Sequence, residues 1–274
     1  MRNLFKPQLR TKNFSAVDLK AANAGIGEFP ARAIVRLGSR TSTQEAFPKS
    51  FGKRRIIEVN TPEACHNSGD KVLMKKCFDA AGVKTAEWSE LHLLGAANEW
   101  DHGYPVIIKH KNSCKGKGIY FINNQDELQD FINNNNTRSH IAESYKGYTK
   151  EFRLHVTEDG CFYACRKMLK ADAEERWHRH DTNSVWIIEE NPLFERPKNW
   201  DDLEAECVKA LKSVGLDIGA CDIKIQSEKN RNAEFIPEFV ILEINSAAGL
   251  AERGLELYRA EIAKIITKKI ENGG

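Results

Sequence analysis

Short alternating runs of apolar and polar residues dominate the chain, and only four stretches carry a helical period. Residues 33–39 and 54–60 read as strands rich in Ile and Val, each closed by a turn. Residues 104–109 and 119–122 read as a second pair around a glycine-containing loop, and 140–145 as a further short strand. Residues 150–156 and 161–169 flank Glu158-Asp159-Gly160, a hairpin turn. Residues 219–226 and 239–245 form a last apolar pair joined by a polar loop. Helical spacing appears in Leu73, Cys77 and Ala80/Ala81, with Ser68 or Asp70 as cap and Gly82 as stop. It recurs over 126–133, and over 201–214 with Leu203, Cys207, Ala210, Leu211 and Val214 inward. The last helix carries Leu255, Tyr258, Ile262, Ile265, Ile266 and Ile270 as one stripe, either core or a homodimer surface. Residues 171–199 show no clear period and read as a long loop.

Totals narrow the class. A chain of 274 residues makes one large domain or two to three small ones. A net charge of +2 disfavours a dedicated nucleic-acid binder. Seven cysteines, an odd number without a Cys-x-x-Cys pair, read as reduced core residues. No apolar run is long enough to span a bilayer, and the amino terminus lacks an apolar signal segment. These features lead us to expect a soluble cytoplasmic protein with no membrane partner.

Chemistry concentrates in a few places. Glu243 and Asn245 are two apart on one strand and leave the same face, and folding the hairpin back brings Asp222 beside them. Two carboxylates and an amide oxygen are hard donors suited to magnesium; the alternative is a polar face in solvent. Lys109 ends a buried strand and runs into a loop with Lys115, Gly116, Lys117 and Gly118, whose N–H and ammonium groups suit a polyphosphate. Lys71 opposes the helix dipole at its position, which a bound anion would explain, as would simple exposure to solvent. Glu151, Arg153 and His155 share one strand face, and Arg166 and Lys167 lie near the end of the paired strand. Arg36 and Arg40 face either an anionic substrate or solvent, and His178 and His180 lack partners at metal-ligand spacing.

In this order the pieces resemble the ATP-grasp superfamily over roughly residues 56–255. Asn60-Thr61-Pro62-Glu63-Ala64 with Asp70-Lys71 resembles the entry to the central subdomain, and Lys109 the strand-end lysine on ATP phosphate. Lys115-Gly116-Lys117-Gly118 is similar to the phosphate-covering loop. Glu143-Ser144-Tyr145 is similar to the hinge that holds the adenine amino group, with Glu151 as a ribose contact. Asp222, Glu243 and Asn245 stand at the magnesium-ligand positions, and Ser246-Ala247-Ala248-Gly249 resembles the small-residue loop after them, here without proline. The nearest resemblance is to the peptide-type ligases, ribosomal-protein glutamate ligase and glutathione synthetase.

The resemblance implies an α+β, ATP-grasp fold with two α+β lobes holding ATP between them. A small α/β region would occupy 1–66, the lobe with the glycine-rich loop 67–142, and the lobe with the metal site and terminal helix 143–274. It implies a carboxylate–amine ligase using ATP and two magnesium ions, with manganese as a substitute. A substrate carboxylate would attack the γ-phosphate to give an acyl phosphate and ADP, and an amine, free or on a peptide or protein, would displace phosphate. Arg153, Arg166 and Lys167 would stabilise the transferring charge. Two other functions stay open: a kinase with a hydroxyl acceptor on the same ATP site, and a non-catalytic nucleic-acid-binding module using the basic 109–117 and 176–180 clusters.

Overall fold

A computed structural model describes residues 3–11, 25–52, 54–94, 100–113, 117–180 and 182–273. Among the described residues the strands form three sheets. The first is parallel, in the order β1 (Gln8–Thr11), β2 (Arg32–Leu37), β3 (Ile56–Val59). The second contains β4 (Trp88–Glu90), β5 (Val106–His110), β6 (Ile119–Ile122) and β7 (His140–Ser144), antiparallel in the order β4-β7-β5-β6. The third contains β8 (Lys150–Thr157), β9 (Gly160–Leu169), β10 (Ser184–Ile188), β11 (Ile218–Ile225) and β12 (Phe239–Asn245), antiparallel in the order β10-β9-β8-β11-β12. The helices are α1 (Thr43–Ala46), α2 (Pro62–Gly69), α3 (Lys71–Ala81), α4 (Gln125–Asn134), α5 (Trp200–Val214) and α6 (Glu252–Glu271). None of them is long and apolar enough to cross a membrane.

The largest core lies between one face of the third sheet and helices α3 and α5. Phe152 and Leu154 of β8, Ile223 and Ile225 of β11, and Ile241 of β12 meet Phe78, Leu203 and Leu211 there, all fully buried. Each such side chain contributes ~2 kcal/mol on transfer from water. Because strand side chains alternate, this packing leaves the opposite face of the sheet free to carry polar groups. Asp70 sets the start of α3, its Oδ1 accepting from the N–H of Val72 (2.9 Å) and Leu73 (3.2 Å). Gly82 ends it in the left-handed conformation, at φ 64°.

The stripe of α6 is core. Tyr258, Ile262 and Ile266 are buried with Leu9, Val35 and Val59 of the first sheet and Ile218 of β11. Asn60 fastens the same junction. It sits at φ 57°, a left-handed conformation that asparagine tolerates. Its Oδ1 accepts from the N–H of Asp217 (2.8 Å) and Ile218 (3.1 Å), and its Nδ2 donates to the carbonyls of Arg36 and Ile218, both at 3.0 Å. Asn60→Ala strips these buried backbone groups of partners and strains the chain, so a loss of about 3 kcal/mol or more is expected. Urea unfolding measures it; a change below 1 kcal/mol would show that the junction is held elsewhere.

Several elements, among them β1, α2 and β10, depart from the sequence expectations. β1 had no signal in the mixed first residues. α2 lacks an apolar period, but Thr61 caps it by accepting from Ala64 N–H (3.1 Å) with Pro62 in its first turn. The long loop over 171–199 contains β10, an edge strand whose exposed Val185 and Trp186 hide the usual alternation. Arg36 faces neither substrate nor solvent: fully buried, its guanidinium donates to Thr41 O and Glu58 Oε2 (both 2.7 Å), Thr43 Oγ1 (2.8 Å) and Asn60 O (3.1 Å).

Candidate active site

The polar face of the third sheet gathers charge at the open end of β11 and β12. Register alone places Asp222 between Arg153 of β8 and Glu243 of β12. Simple alternation along β12 would put Glu243 on the same face as Ile241, in the core. A bulge prevents this: Ile241 pairs with Ile223 but Glu243 with Asp222, so Leu242 is the extra residue and Glu243 turns to the polar face. Asn245 follows on that face, its Nδ2 donating to Glu243 Oε1 (2.9 Å) and lying 3.5 Å from Asp222 Oδ2. The structure thus brings Asp222, Glu243 and Asn245 together.

Arg153 grips Asp222 through two bonds, Nε to Oδ1 at 2.6 Å and Nη2 to Oδ2 at 2.8 Å. Burial pushes the Asp222 carboxyl up, against the pull of Arg153. Burial also works to raise Glu243, but Lys71, the bond from Asn245, and then Lys109 and Arg153 outweigh it and bring the carboxyl down. Glu243 is therefore a carboxylate at neutral pH, facing cations. Lys71 reaches under the loop after β5, its Nζ donating to Ser113 O at 2.7 Å. Its oddity at the start of α3 is thus resolved: it serves the carboxylate site and the loop together.

The second sheet supplies the other wall. Lys109 of β5 ion-pairs with Glu143 of the adjacent β7, and Lys75 of α3 reaches the same carboxylate at 2.8 Å. Glu143 and Lys75 are both buried. Burial alone would raise Glu143, but Lys109 and then Lys75 bring it down to about 2. Its carboxylate is committed to two lysines and does not present itself to a purine, as the resemblance had implied. The N–H groups of Ser144 and Tyr145 are also engaged, by Glu87 O (2.9 Å) and Pro105 O (3.2 Å). Glu151 is buried opposite Lys224 on β11 and Lys167 on β9. Burial drives Glu151 up and lowers Lys224 to about 8.

Of the three candidates for stabilising phosphoryl charge, two share the polar face and one does not. Arg153 and Lys167 lie on the polar face, and Trp186 of β10 covers both, with its ring centre 4.6 Å from Arg153 Cζ and 5.1 Å from Lys167 Nζ. Arg166 pairs in register with Phe152 and so points to the core side, where its Nη1 donates to Leu193 O (3.1 Å). Strand parity thus separates it from Arg153, although it lines a pocket together with Lys167 and Arg179. Of the phosphate loop, Lys117 is exposed and Gly118 turns at φ 63°. Lys115 and Gly116 lie outside the described residues. His155, on the same face, is no acid or base for the site: burial lowers it to about 3 and its Nδ1 bonds Tyr258 Oη at 2.9 Å.

The sequence reading missed Lys75, Lys224 and Trp186, and took Trp177 and Arg179 only as part of the 176–180 cluster. Lys224 had a signal, since it lies two residues from Asp222 on the same strand face. Lys75 lies one helical turn from Lys71, on the buried side of α3. Trp186 has none. The segment 175–180 crosses between the sheets: Trp177 O accepts from Lys224 Nζ (3.2 Å) and Tyr145 Oη (3.4 Å), and its ring meets Phe121 at 5.1 Å. Arg179 lies 3.5 Å from Glu151. Arg179 of this cluster thus faces inward to a carboxylate, while Arg176 is exposed.

Comparison with known proteins agrees with this geometry. Multifunctional protein pyr-3 of Neurospora crassa is 26% identical over 178 residues, 63% of this chain and 9% of that protein. The carbamoyl phosphate synthase large chain of Pseudothermotoga lettingae is 24% identical over 238 residues, 80% of this chain and 20% of that protein. The chain thus spans a tenth to a fifth of the length of these relatives. The crystal structure of D-alanine–D-alanine ligase from Bacillus anthracis complexed with ATP superposes with a TM-score of 0.61 over 98% of both chains, at 12% identity. The fold is that of the ATP-grasp proteins, α+β throughout. The model of the carbamoyl-phosphate synthase L chain, ATP binding domain, matches residues 70–249, from the cap of α3 to the loop after β12, and the chain belongs to that family.

Proposed function

We propose that the chain is an ATP- and magnesium-dependent ligase that activates a carboxylate as an acyl phosphate and joins it to an amine. The observation carrying this is the convergence of Asp222, Glu243 and Asn245 opposite Lys71 and Lys109, in a cleft between two sheets of an ATP-grasp fold. The donor set fits magnesium: the buried carboxylate of Asp222, the half-buried one of Glu243 and an amide, all hard oxygen ligands, with Glu243 held ionised. Bound there, two magnesium ions (or manganese) would offset the charge of the ATP phosphates.

The chain's own residues do the rest. Lys109 and Lys71 place positive charge on the phosphate path, and Lys117 and Gly118 belong to the loop that covers it. Tyr145, with the backbone of Ser144, borders the base, and Glu151 the ribose. Arg153 and Lys167, both under Trp186, orient the transferring phosphoryl group. A polar cavity of about 560 Å³ lined by Ser39, Arg40, Thr41, Glu45, Gly69 and Asn112 adjoins the loop, and we assign it to the carboxylate substrate. The substrate oxygen bonds to the γ-phosphorus as the bond to ADP breaks; the amine then bonds to the acyl carbon, and phosphate leaves.

The test is ADP release with ATP and magnesium across pools of amino acids, peptides and small carboxylates, with hydroxylamine as surrogate amine. A carboxylate-dependent signal that yields a hydroxamate, and is lost in Glu243→Gln, is expected. ADP formation that requires an alcohol and traps no hydroxamate would replace the ligase by a kinase. Failure to bind any nucleotide would remove both.

A further inference from the structure

The segment 175–180 holds a cluster that the ligase chemistry does not use. Glu175 Oε1 lies 2.5 Å from His178 Nδ1, and Glu175 Oε2 lies 3.9 Å from His180 Nε2. One ligand atom from each of the three residues falls within 4.8 Å of the other two. His178 Nδ1 is shielded from solvent, and the group facing it is the Glu175 carboxylate. A polar ring nitrogen in that position costs free energy unless something accepts its lone pair or proton.

The surroundings look built for these three side chains. Asn183, itself buried, donates through Nδ2 to the carbonyls of Glu175 (3.1 Å) and His178 (3.0 Å). Its Oδ1 accepts from His180 N–H at 2.8 Å, so one side chain fixes the backbone of all three residues. Thr182 Oγ1 bonds His180 Nδ1 at 2.7 Å, which engages that nitrogen and leaves Nε2 for the cluster. A partner on the far ring nitrogen is how histidine ligands are oriented around metals. The two imidazole ring centres stand 4.9 Å apart, with the planes inclined at 43°.

We propose that Glu175, His178 and His180 form a site for a divalent transition-metal ion of the zinc class. Two imidazole nitrogens and one carboxylate oxygen select such an ion over magnesium, which prefers an all-oxygen shell. Three protein ligands leave a coordination position to water or an incoming ligand. The ligands bracket Trp177 and Arg179, the residues that lie across the cleft on Tyr145, Lys224 and Glu151. A bound ion thus fixes the strap that covers the cleft. The site stands on its own residues and does not need the ligase assignment to hold.

Cobalt(II) titrated into the untagged, metal-free full chain, followed by visible absorbance, tests this without any enzyme assay. Saturation at one ion per chain, with displacement by zinc, is expected. His178→Gln and His180→Gln are each expected to weaken uptake at least ~10-fold. Glu175→Gln, whose side chain is 41% exposed, is the variant least able to disturb the fold and should weaken it as well. No saturable uptake, or uptake unchanged in all three variants, would overturn the site. A thiolate charge-transfer band at one equivalent would also overturn it, by placing the ion on cysteine.

Discussion

Glu243→Gln leaves the protein folded and lowers ADP formation by ~100-fold or more, with the magnesium needed for half-maximal rate shifted upward. The fold survives because the substituted amide keeps an oxygen to accept from Asn245 and keeps the volume of the side chain. The removed charge faces Asp222 as well as Lys71, Lys109 and Arg153 and makes no direct ion pair among the described residues, so its loss breaks none. The melting temperature should therefore stay within a few degrees of the parent. What disappears is the anionic oxygen that Lys71 and Lys109 hold ionised for a cation. Asp222→Asn is a poorer probe, because it also leaves Arg153 without its bidentate partner. ADP release against magnesium concentration, with thermal melts alongside, measures both parts. A variant with parental rate and parental magnesium dependence would move the metal site away from β12.

Glu143→Gln acts the other way, on the fold before the chemistry. Lys75 is completely buried, reaches Glu143 at 2.8 Å, and also donates to Thr85 Oγ1. Removing the carboxylate charge leaves this lysine and Lys109 facing each other in the interior, at an expected cost of ~3–5 kcal/mol. Replacing Lys75 by Met in the same chain should recover part of that loss, since the stranded charge is then gone. The carboxylate also sets a pH window. Its folded pKa of about 2 lies below the ordinary 4.5, so its contribution is complete above the ordinary value and is lost as pH falls through the folded one. That contribution is ~3 kcal/mol, disappearing between about pH 4.5 and 2. Urea midpoints across that range, for the parent and for Glu143→Gln, give the comparison. The parent should lose stability on acidification, and the variant should show a flatter profile. Parallel curves would mean that another carboxylate governs acid unfolding.

Much of the scaffold was legible because its devices are local. Asp70 and Gly82 mark the ends of α3 by capping chemistry that needs no tertiary information. The strands β5, β6, β8, β9, β11 and β12 announce themselves by apolar runs between turns. The carboxylates on β11 and β12 were legible as a set, since a hairpin brings them together whatever surrounds it. Which of the neighbours Arg166 and Lys167 takes the polar face was not legible, because only the pairing of Arg166 with the core residue Phe152 decides it. Glu143 was visible as a polar residue on a short strand, but not its commitment to Lys75, which lies 68 residues earlier on a helix. The Glu175 partner of the two histidines was hidden for a similar reason: a turn whose shape depends on Asn183 brings it round.

The extra residue in β12 gives the carboxylates on the polar face a guardian outside the site. If the strand slid by one residue to erase the bulge at Leu242, ordinary pairing would be restored and its ladder improved. Either Glu243 would then enter the oily layer beneath the sheet, against Leu203 and Leu211, or Ile241 would be expelled from it. Neither residue tolerates that move. The irregularity is thus a ratchet whose pawl is the hydrophobic interior. Metal-free protein, stripped of every bond an ion would supply, keeps Glu243 aimed at the cleft because oil refuses it on the other side.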